Sequence, residues 1–513
     1  MGYHKKIFLF FCTIFIFQFS FAQEPDETLR TAWFTQNGTA RNIAVGGALA
    51  SLGGDITAAH VNPAGIGLYK TREFVFTPSF NFNNNKINFR GTDSSSKKFG
   101  YMGGTAGFVF GGTPRYSNSR WSGYAFAITY NQLANFNNHI SYSGLNNYSS
   151  FSEKYLEELA NDGADTTAAL YNYPYGSSLA FWTYLVDTTT VNGQFGYKSL
   201  VPVSTGVYQY YDAVTTGGYN EIALSIAGNK SDNLYLGASL TIPFVNYNRN
   251  FTYSEKDATS NPNNNFSSFT YNETLKSSGI GVGLKLGAIA KLGDYFRVGA
   301  AFHTPQIISF EDEIRSSIIA NTEQYAGTRT QTSDALTDNT PGKREYNLVT
   351  PWRAIVSGSY IFATDIGDTK QQKGFISADI EYVNYKASRY SAVDKSNSAL
   401  VDYYSAVNDA TKNYFKGNVN IKVGGELKFD PLMVRAGFAY YGSPYADKSL
   451  HANKTIVSGG IGYRKFGIFV DLTYAYDISK DVNFPYRLND VANTYANVKN
   501  NVGNLTLTFG VKF

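Results

Sequence analysis

The sequence has only one cysteine and five histidines in 513 residues. Cys12 lies within an apolar N-terminal stretch, so the rest of the chain can form no disulfide and no thiolate metal site. The later histidines, His60, His139, His303 and His451, form none of the paired motifs of zinc hydrolases. We therefore expect no catalytic residues, no metal site and no cofactor, and we do not expect an enzyme.

Charge and long hydrophobic runs are also scarce. Charged residues make up 16% of the chain and the formal net charge is only +4, which gives no reason to expect a nucleic-acid partner. No apolar run of about 20 residues follows the N-terminus, which argues against a helical membrane protein. Aromatic residues, in contrast, make up 16% of the chain and glycine occurs 48 times. This composition is typical of a large β structure.

The N-terminus is typical of a secretory signal peptide over residues 1–22. Lys5 and Lys6 precede an apolar run from Ile7 to Phe19, and Ser20-Phe21-Ala22 provides the small residues that a signal peptidase recognises. The run is short for an uncleaved membrane anchor, which is the alternative. We predict cleavage after Ala22.

From Arg72 onward the chain alternates between polar and apolar residues in segments separated by turns. In the last segment, Leu505 and Leu507 share one face, while Thr506 and Thr508 share the other. Such alternation is the signature of a transmembrane β-barrel. Fourteen segments qualify, at 72–87, 99–112, 120–136, 217–229, 234–254, 267–292, 295–314, 346–363, 374–389, 417–429, 432–444, 452–464, 467–480 and 498–513.

The connections between these segments alternate between short and long. Outer-membrane barrels have short periplasmic turns and long extracellular loops. We therefore predict an all-β fold over 72–513, an antiparallel transmembrane barrel of about 14 strands. The extracellular insertions are predicted near 137–216, 315–345, 390–416 and 481–497.

Residues 23–71 differ from the rest because they are rich in Gly and Ala and lack sustained alternation. The segment is too short for a domain and too apolar for a free tail, so we predict an N-terminal hatch inside the barrel. A periplasmic linker is the alternative. Its candidate contact with the inner wall is the turn Asn62, Pro63, Ala64 and Gly65. The alternative is a turn that merely precedes the first strand.

Several charged residues fall on the inward face of the predicted strands. A Lys or Arg on the lipid face costs up to about 2–4 kcal/mol at mid-bilayer, so these residues should face the lumen. There they either form a structural network of ion pairs or also contact the hatch or a substrate head group. The set comprises Arg353, Asp379, Glu381, Lys422, Glu426, Arg435 and Asp471.

Three prolines interrupt predicted strands and are candidate kinks: Pro78, Pro243 and Pro305. Proline donates no hydrogen bond to a strand ladder and marks an edge or a bulge. A bulge near the rim is the alternative for each of them.

Two predicted loops contain amphipathic helices, one over 153–160 after Ser152 and one over 398–415. Aromatic helices above a barrel mouth would form a groove that captures apolar molecules. Packing of each helix against its own loop is an equal alternative. The candidate groove residues are Tyr155, Leu156, Leu159, Tyr403, Tyr404 and Val407.

Short motifs in the same order along the chain resemble the FadL/TodX family of outer-membrane transporters for long-chain fatty acids and aromatic hydrocarbons. They are Gly46-Gly47-Ala48 with Asp55 and the Asn62–Gly65 turn, Phe302–Pro305, Arg435–Tyr440 with Ser443-Pro444, and Asp471–Tyr476. Two departures are a single acidic residue at Gly54-Asp55, where the family often has two, and the long 137–216 insertion.

The resemblance implies passive uptake of hydrophobic small molecules, such as fatty acids, through a hatch-plugged barrel in the outer membrane of a Gram-negative bacterium. It also implies a lateral exit at a strand kink, contact with outer-membrane lipids, and help from the barrel assembly machinery during biogenesis. The alternative is a non-transporting structural or interaction barrel associated with protein secretion, because secretion-associated barrels share this fold.

Overall fold

The computed structural model describes residues 25–114, 120–191, 193–259, 261–363 and 372–513. The predicted signal peptide, 1–22, lies outside them. None of the helices in these ranges is long and apolar enough to cross a membrane.

The wall is a closed antiparallel barrel of fourteen strands, as predicted. The last strand pairs with the first, for example Val511 with Phe74, which closes the barrel. The strands are β1 (Arg72–Phe76 and Pro78–Phe89), β2 (Thr92–Gly103 and Ala106–Gly112), β3 (Trp121–Asn135 and Asn138–Asn146), β4 (Val207–Lys230), β5 (Leu234–Asp257), β6 (Ser268–Leu292), β7 (Phe296–His303 and Ile307–Asn321), β8 (Gly342–Val349 and Arg353–Ala363), β9 (Gln372–Asn384 and Arg389–Ala392), β10 (Gly417–Phe429), β11 (Leu432–Tyr441), β12 (Asn453–Lys465), β13 (Ile468–Asn483) and β14 (Ala496–Lys512).

Several strands are longer than predicted, most clearly β3 and β4. They stay paired as far as Asn146 and Val207, so the insertion between them is 147–206 and not 137–216. A strand needs only about 9–11 residues to cross a bilayer. The upper parts of β3 and β4 carry polar outward residues such as Asp212 and Thr216, which obscured the alternation.

The outward face carries a band of apolar side chains. On β5, the outward residues Leu236 and Leu240 are 43% and 45% exposed, and Ile242 and Phe244 above them are partly exposed and apolar. The next outward residues, Asn246 and Asn248, are polar, so the change from Phe244 to Asn246 marks the upper edge of this band. Such a band is what the hydrocarbon layer of a membrane requires of a barrel.

The N-terminal segment, residues 25–71, lies inside the barrel. It contains α1 (Ala40–Ala44), α2 (Ala58–Val61) and two 3₁₀ turns, Pro25–Thr31 and Pro63–Leu68. Helix α1 packs against β11 to β14, whereas the turn Pro63–Leu68 packs against β3 to β6, so the segment crosses the lumen.

The longest insertion, 147–206, forms a lid over the other end of the lumen. It contains α3 (Glu153–Asn161), α4 (Thr166–Tyr171), α5 (Ser177–Trp182) and a hairpin of Val186–Val191 and Gln194–Ser199. Two further loops contain α6 (Ser333–Leu336) and α7 (Ser398–Tyr414). Helices α3 and α7 confirm the two helices predicted from amphipathic spacing.

An aromatic cluster, here called the lid cluster, fills the lumen beneath the lid. At its centre the ring of Phe151 lies 4.6 Å from that of Tyr253 and 5.2 Å from that of Tyr271. Its other buried aromatic residues include Phe89, Tyr142, Tyr155, Tyr173, Tyr211, Phe251, Phe266, Phe269 and Tyr486.

Candidate functional site

The turn at Asn62 joins the N-terminal segment to the wall. The Asn62 side-chain Nδ2 donates to Ala50 O at 2.7 Å and to Ala288 O of β6 at 3.2 Å. Its Oδ1 accepts from Ala64 N at 3.2 Å and so begins the 3₁₀ turn. One side chain therefore shapes the turn, binds a second part of the segment and contacts the barrel wall.

Two wall glycines receive this turn. A Cβ atom at Gly237 of β5 would collide with the backbone of Pro63, and one at Gly287 of β6 would collide with Asn62 Oδ1. Both positions are therefore restricted to glycine by close approach. Pro63, Ala64 and Gly65 are buried at this contact, beside Asn62.

The seven predicted lumenal charges all lie on the inner face, and most of them pair there. Glu381 accepts from Arg353 Nη1 at 2.9 Å and pairs with Lys422 Nζ at 2.8 Å. In a second group, Arg435 lies 2.6 Å from Glu426 and 2.6 Å from Asp471. The structural network that the sequence suggests is therefore present.

The same charges also bind the N-terminal segment. Arg353 Nη2 donates to Ala32 O, and Asp379 Oδ2 accepts from Ala50 N at 3.2 Å. Glu426 Oε2 accepts from Arg41 Nε at 3.2 Å. The two alternatives for these charges are thus combined, because one network braces the wall and positions the segment.

A third buried polar group, centred on Glu221 of β4, was not predicted from the sequence. The fully buried Glu221 carboxylate contacts His60 Nδ1 at 2.7 Å, accepts from Gln306 Nε2 at 2.6 Å and forms an ion pair with Lys285 of β6. The alternation of β4 and β6 would have predicted that Glu221 and Lys285 face inward. His60 lies in the non-alternating segment, where parity gives no signal.

A central pocket lies beside this group, between the N-terminal segment and the wall. The segment contributes Thr31, Phe34 and Gln36 to its lining, and the wall contributes residues that include Leu133, Tyr219, Lys285, Gln306, Thr350 and Arg353. Both strongly basic residues of this lining are already paired, Lys285 with Glu221 and Arg353 with Glu381. The pocket therefore combines aromatic and aliphatic surface with hydroxyl and amide groups.

The wall has one long break in its hydrogen-bond ladder, between β2 and β3. The ladder runs from Gly112 paired with Tyr124 up to Ala106 paired with Tyr130 and then stops. Above that point Thr92–Gly103 pairs with β1 only. In the described ranges no other neighbouring pair of wall strands is unpaired over so many residues. We call this break the seam.

Side-chain amides bridge the seam in place of the ladder. Asn135 Nδ2 donates to Tyr101 O and Asn137 Nδ2 donates to Phe99 O, both at 3.1 Å. Gln132 Oε1 accepts from Gly103 N at 2.7 Å. The seam is therefore closed, but by individual side chains rather than by continuous strand pairing.

At the seam β3 bends across the inner face of its neighbours. Asn83 and Asn85 of β1 donate to Asn137 O and His139 O, each at 2.6 Å. A Cβ atom at Gly100 of β2 would take the place of the Asn137 amide, so a larger residue there would displace this bridge.

None of the three candidate proline kinks lies in the two strands that border the seam, although Pro78 of β1 pairs with Gly103 of β2 at the lower end of the seam. Beyond Pro78 the pairing of β1 with β14 continues at Ser79, and beyond Pro243 the pairing of β5 with β6 resumes at Phe244. Beside Pro305 the ladder is maintained by Gln306 and Thr350, which form two hydrogen bonds of 2.9 Å. These prolines mark short irregularities, and the long break occurs without a proline.

The candidate groove residues do not line an open groove in this structure. Tyr155 and Leu159 are buried in the lid cluster, and Leu156 packs against it. Tyr404 and Val407 are buried in a second cluster above the central pocket, with Tyr403 beside them. Their apolar faces cover residues of their own loops and also of the wall strands, such as Tyr271 and Tyr346, so they line no open groove here.

Comparison with known proteins identifies the fold. No family model matches the chain, and no curated protein sequence matches it. The structure is similar to that of a Pseudomonas aeruginosa FadL homologue, with a TM-score of 0.57 and 13% identity over 94% of this chain and 99% of that chain. It is also similar to the P. putida toluene transporter TodX, with a TM-score of 0.50 and 11% identity over 93% and 99% of the two chains. The chain therefore has the fold of the FadL and TodX barrels.

Proposed function

We propose that the chain is an outer-membrane barrel of a Gram-negative bacterium that takes up hydrophobic small molecules, such as long-chain fatty acids, by passive diffusion. The apolar outward band and the shared fold support this proposal. The similar solved structures include a toluene transporter. The central pocket has a volume of about 40 Å³ and is lined by apolar side chains, such as Phe34 and Leu133, together with paired charges, so a cargo would have to enlarge it.

The N-terminal segment acts as the hatch in this proposal. It crosses the lumen between opposite parts of the wall and is bound there by Asn62, Asp379 and Glu426. A cargo that enters the central pocket therefore meets a closed floor. A straight path to the periplasm would require these polar contacts to break together.

The seam is the observation that carries the proposed route, because it offers a sideways exit. Phe99 and Tyr101 of β2, 64% and 58% exposed, place part of it at the upper edge of the apolar band. In a membrane every backbone polar group needs a partner. The amide bridges supply such partners to β2 and can be exchanged one at a time, unlike a ladder.

The test closes the seam by cross-linking. The predicted mature chain has no cysteine, so the pair Tyr101→Cys and Asn135→Cys can be joined by a reducible bifunctional thiol reagent. Uptake of radiolabelled oleate and of radiolabelled toluene is measured in cells that lack their own transporter. We expect cross-linking to lower uptake of the transported probe at least fivefold, and reduction of the linker to restore it.

The matched control joins the same two strands where the ladder is intact. Phe108→Cys and Ile128→Cys face each other below the seam, and both native side chains are exposed outward. We expect no loss of uptake from this cross-link. Unchanged uptake with the seam closed would refute the lateral route. Absence of uptake of both probes, with exported proteins bound to the purified barrel, would favour the secretion-associated alternative.

A further inference from the structure

One residue of the N-terminal segment bridges both edges of the seam. Asn37 Nδ2 donates to Gly103 O of β2 at 2.8 Å and to Gln132 O of β3 at 2.7 Å. Asn37 is 5% exposed and lies just above the point where the ladder ends at Ala106 and Tyr130. It therefore occupies the fork where the two strands part.

The chemistry of this bridge requires a donor with two N–H groups. Gly103 O and Gln132 O are both acceptors, so they cannot bind each other, and a carboxamide satisfies one on each edge. Gly103 N is already bound to Gln132 Oε1. When Asn37 withdraws, both carbonyls lose this donor in a buried position, so withdrawal is unfavourable unless another donor replaces the amide.

Asn37 directly follows the residues of the N-terminal segment that line the central pocket. These residues are Thr31, Phe34 and Gln36. Gln36 N donates to Tyr441 OH at 2.8 Å, which fixes this stretch on the opposite wall. Because residues 31–36 form one side of the pocket and Gln36 adjoins Asn37, a displacement of this stretch would be transmitted directly to Asn37.

We propose that Asn37 is a positioning residue that couples occupancy of the central pocket to opening of the seam. Cargo that displaces residues 31–36 withdraws the Asn37 amide from both edges, and the seam opens from its lower end. This inference rests on the proposed lateral route. It assigns the release of the seam to one side chain of the N-terminal segment rather than to movement of the wall alone.

The test measures the width of the seam directly, without uptake. Lys97 of β2 and Ser143 of β3 are exposed on opposite sides of the seam, so a Lys97→Cys and Ser143→Cys pair can carry spin labels. In Asn37→Ala we expect a second population whose label separation is longer by roughly 5 Å, about one interstrand spacing. Asn37→Asp should enlarge that population, because a carboxylate faces the two carbonyls with acceptors only.

Two controls separate this coupling from general loosening. Asn62→Ala removes a contact of the same segment with β6, away from the seam, and should leave the label separation unchanged. Adding oleate or toluene to the unaltered barrel should produce the longer population that Asn37→Ala shows without ligand. Heat-modifiable migration of the barrel on gels confirms that each variant is folded.

Each result decides the inference. An unchanged distance in both Asn37 variants, or an equal shift in Asn62→Ala, would refute the coupling while leaving the cross-linking test of the lateral route intact. A seam that widens in the Asn37 variants but not on addition of oleate or toluene would also refute the coupling. A seam that widens both in these variants and with a probe, in a barrel that takes up neither probe, would support the coupling and count against the proposed function.

Discussion

The lumen is closed twice, by two regions built in opposite ways. The N-terminal segment closes it with small residues, and polar contacts such as Asp379 to Ala50 and Asn62 to Ala288 place that segment. The lid closes it with large aromatic side chains, centred on Phe151, that are buried against one another. One closure is specified by directional hydrogen bonds and the other mainly by burial of apolar surface.

This difference indicates what each closure can do. A polar closure has discrete partners and breaks at defined points, so it suits a segment that must move and return to the same place. An aromatic closure gains stability roughly in proportion to buried area and tolerates small shifts. We expect single substitutions to separate the two regions, with consequences confined to the closure that is altered.

The largest effect is expected from Lys285→Ala in the polar closure. Breaking a buried ion pair by removing one partner leaves an uncompensated charge, here on the fully buried Glu221, and costs about 3–5 kcal/mol. The free energy of unfolding in guanidinium, measured in detergent, should fall by that amount. Lys276→Ala, at an exposed position on the same strand, should change it by less than about 0.5 kcal/mol. Equal losses in both variants would contradict the assignment.

A smaller effect is expected from Leu159→Ala in the lid. Leu159 is fully buried in the lid cluster, and truncating a buried leucine costs about 2–5 kcal/mol when the cavity cannot collapse. The rim of the lid can relax, so we expect about 2 kcal/mol. Protease cleavage within 147–206 on intact cells should become faster, while the unfolding midpoint of the barrel stays constant. A shifted midpoint would mean that the lid and barrel form one cooperative unit.

A graded effect on the lid is expected from pH, through Glu255. This residue lies on β5 above the apolar band, fully buried, and accepts from Ser150 Oγ at 2.5 Å and from Phe151 N at 2.9 Å. Burial, opposed by these hydrogen bonds, raises the pKa of Glu255 to about 7. A carboxyl whose pKa is raised on folding contributes stability at low pH, and this is lost as pH rises from about 4.3 to the folded value.

Lid cleavage by protease should therefore accelerate between pH 5 and pH 8. In Glu255→Gln, which stays neutral, the cleavage rate should be independent of pH over that range. A slope that persists in Glu255→Gln would place the titrating group elsewhere.

The sequence predicted the wall well because side-chain alternation depends only on local spacing. Parity alone placed Arg353, Glu381 and Arg435 inside, where they pair. It also indicated that residues 23–71 are not part of the wall. The upper ends of β3 and β4 were assigned to a loop, because outside the membrane an outward residue such as Asp212 can be polar and the alternation weakens.

The seam could not be predicted from the sequence, because the residues of a single strand do not show whether it forms hydrogen bonds with its neighbour. Residues 99–112 are recognisable as a strand from outward residues such as Phe99 and Tyr101, but these residues do not show whether a neighbouring strand pairs with them. The prolines, which do mark irregularities, drew attention to β1, β5 and β7 instead. The signal that was present is a local density of Asn and Gln, such as Gln132, Asn135 and Asn137, which can bind strand backbone without being part of a ladder.

The length of the wall strands has a consequence for where a cargo first touches the protein. Strand β5 has 24 residues. At about 3.3 Å per residue and a tilt near 40° it rises roughly 60 Å, whereas the apolar band of such barrels is about 25 Å tall. In the proposed outer-membrane setting, roughly 35 Å of barrel then projects beyond the bilayer. A sparingly soluble cargo of the proposed transporter would therefore meet the lid while it is still in water, well before it reaches the hydrocarbon layer.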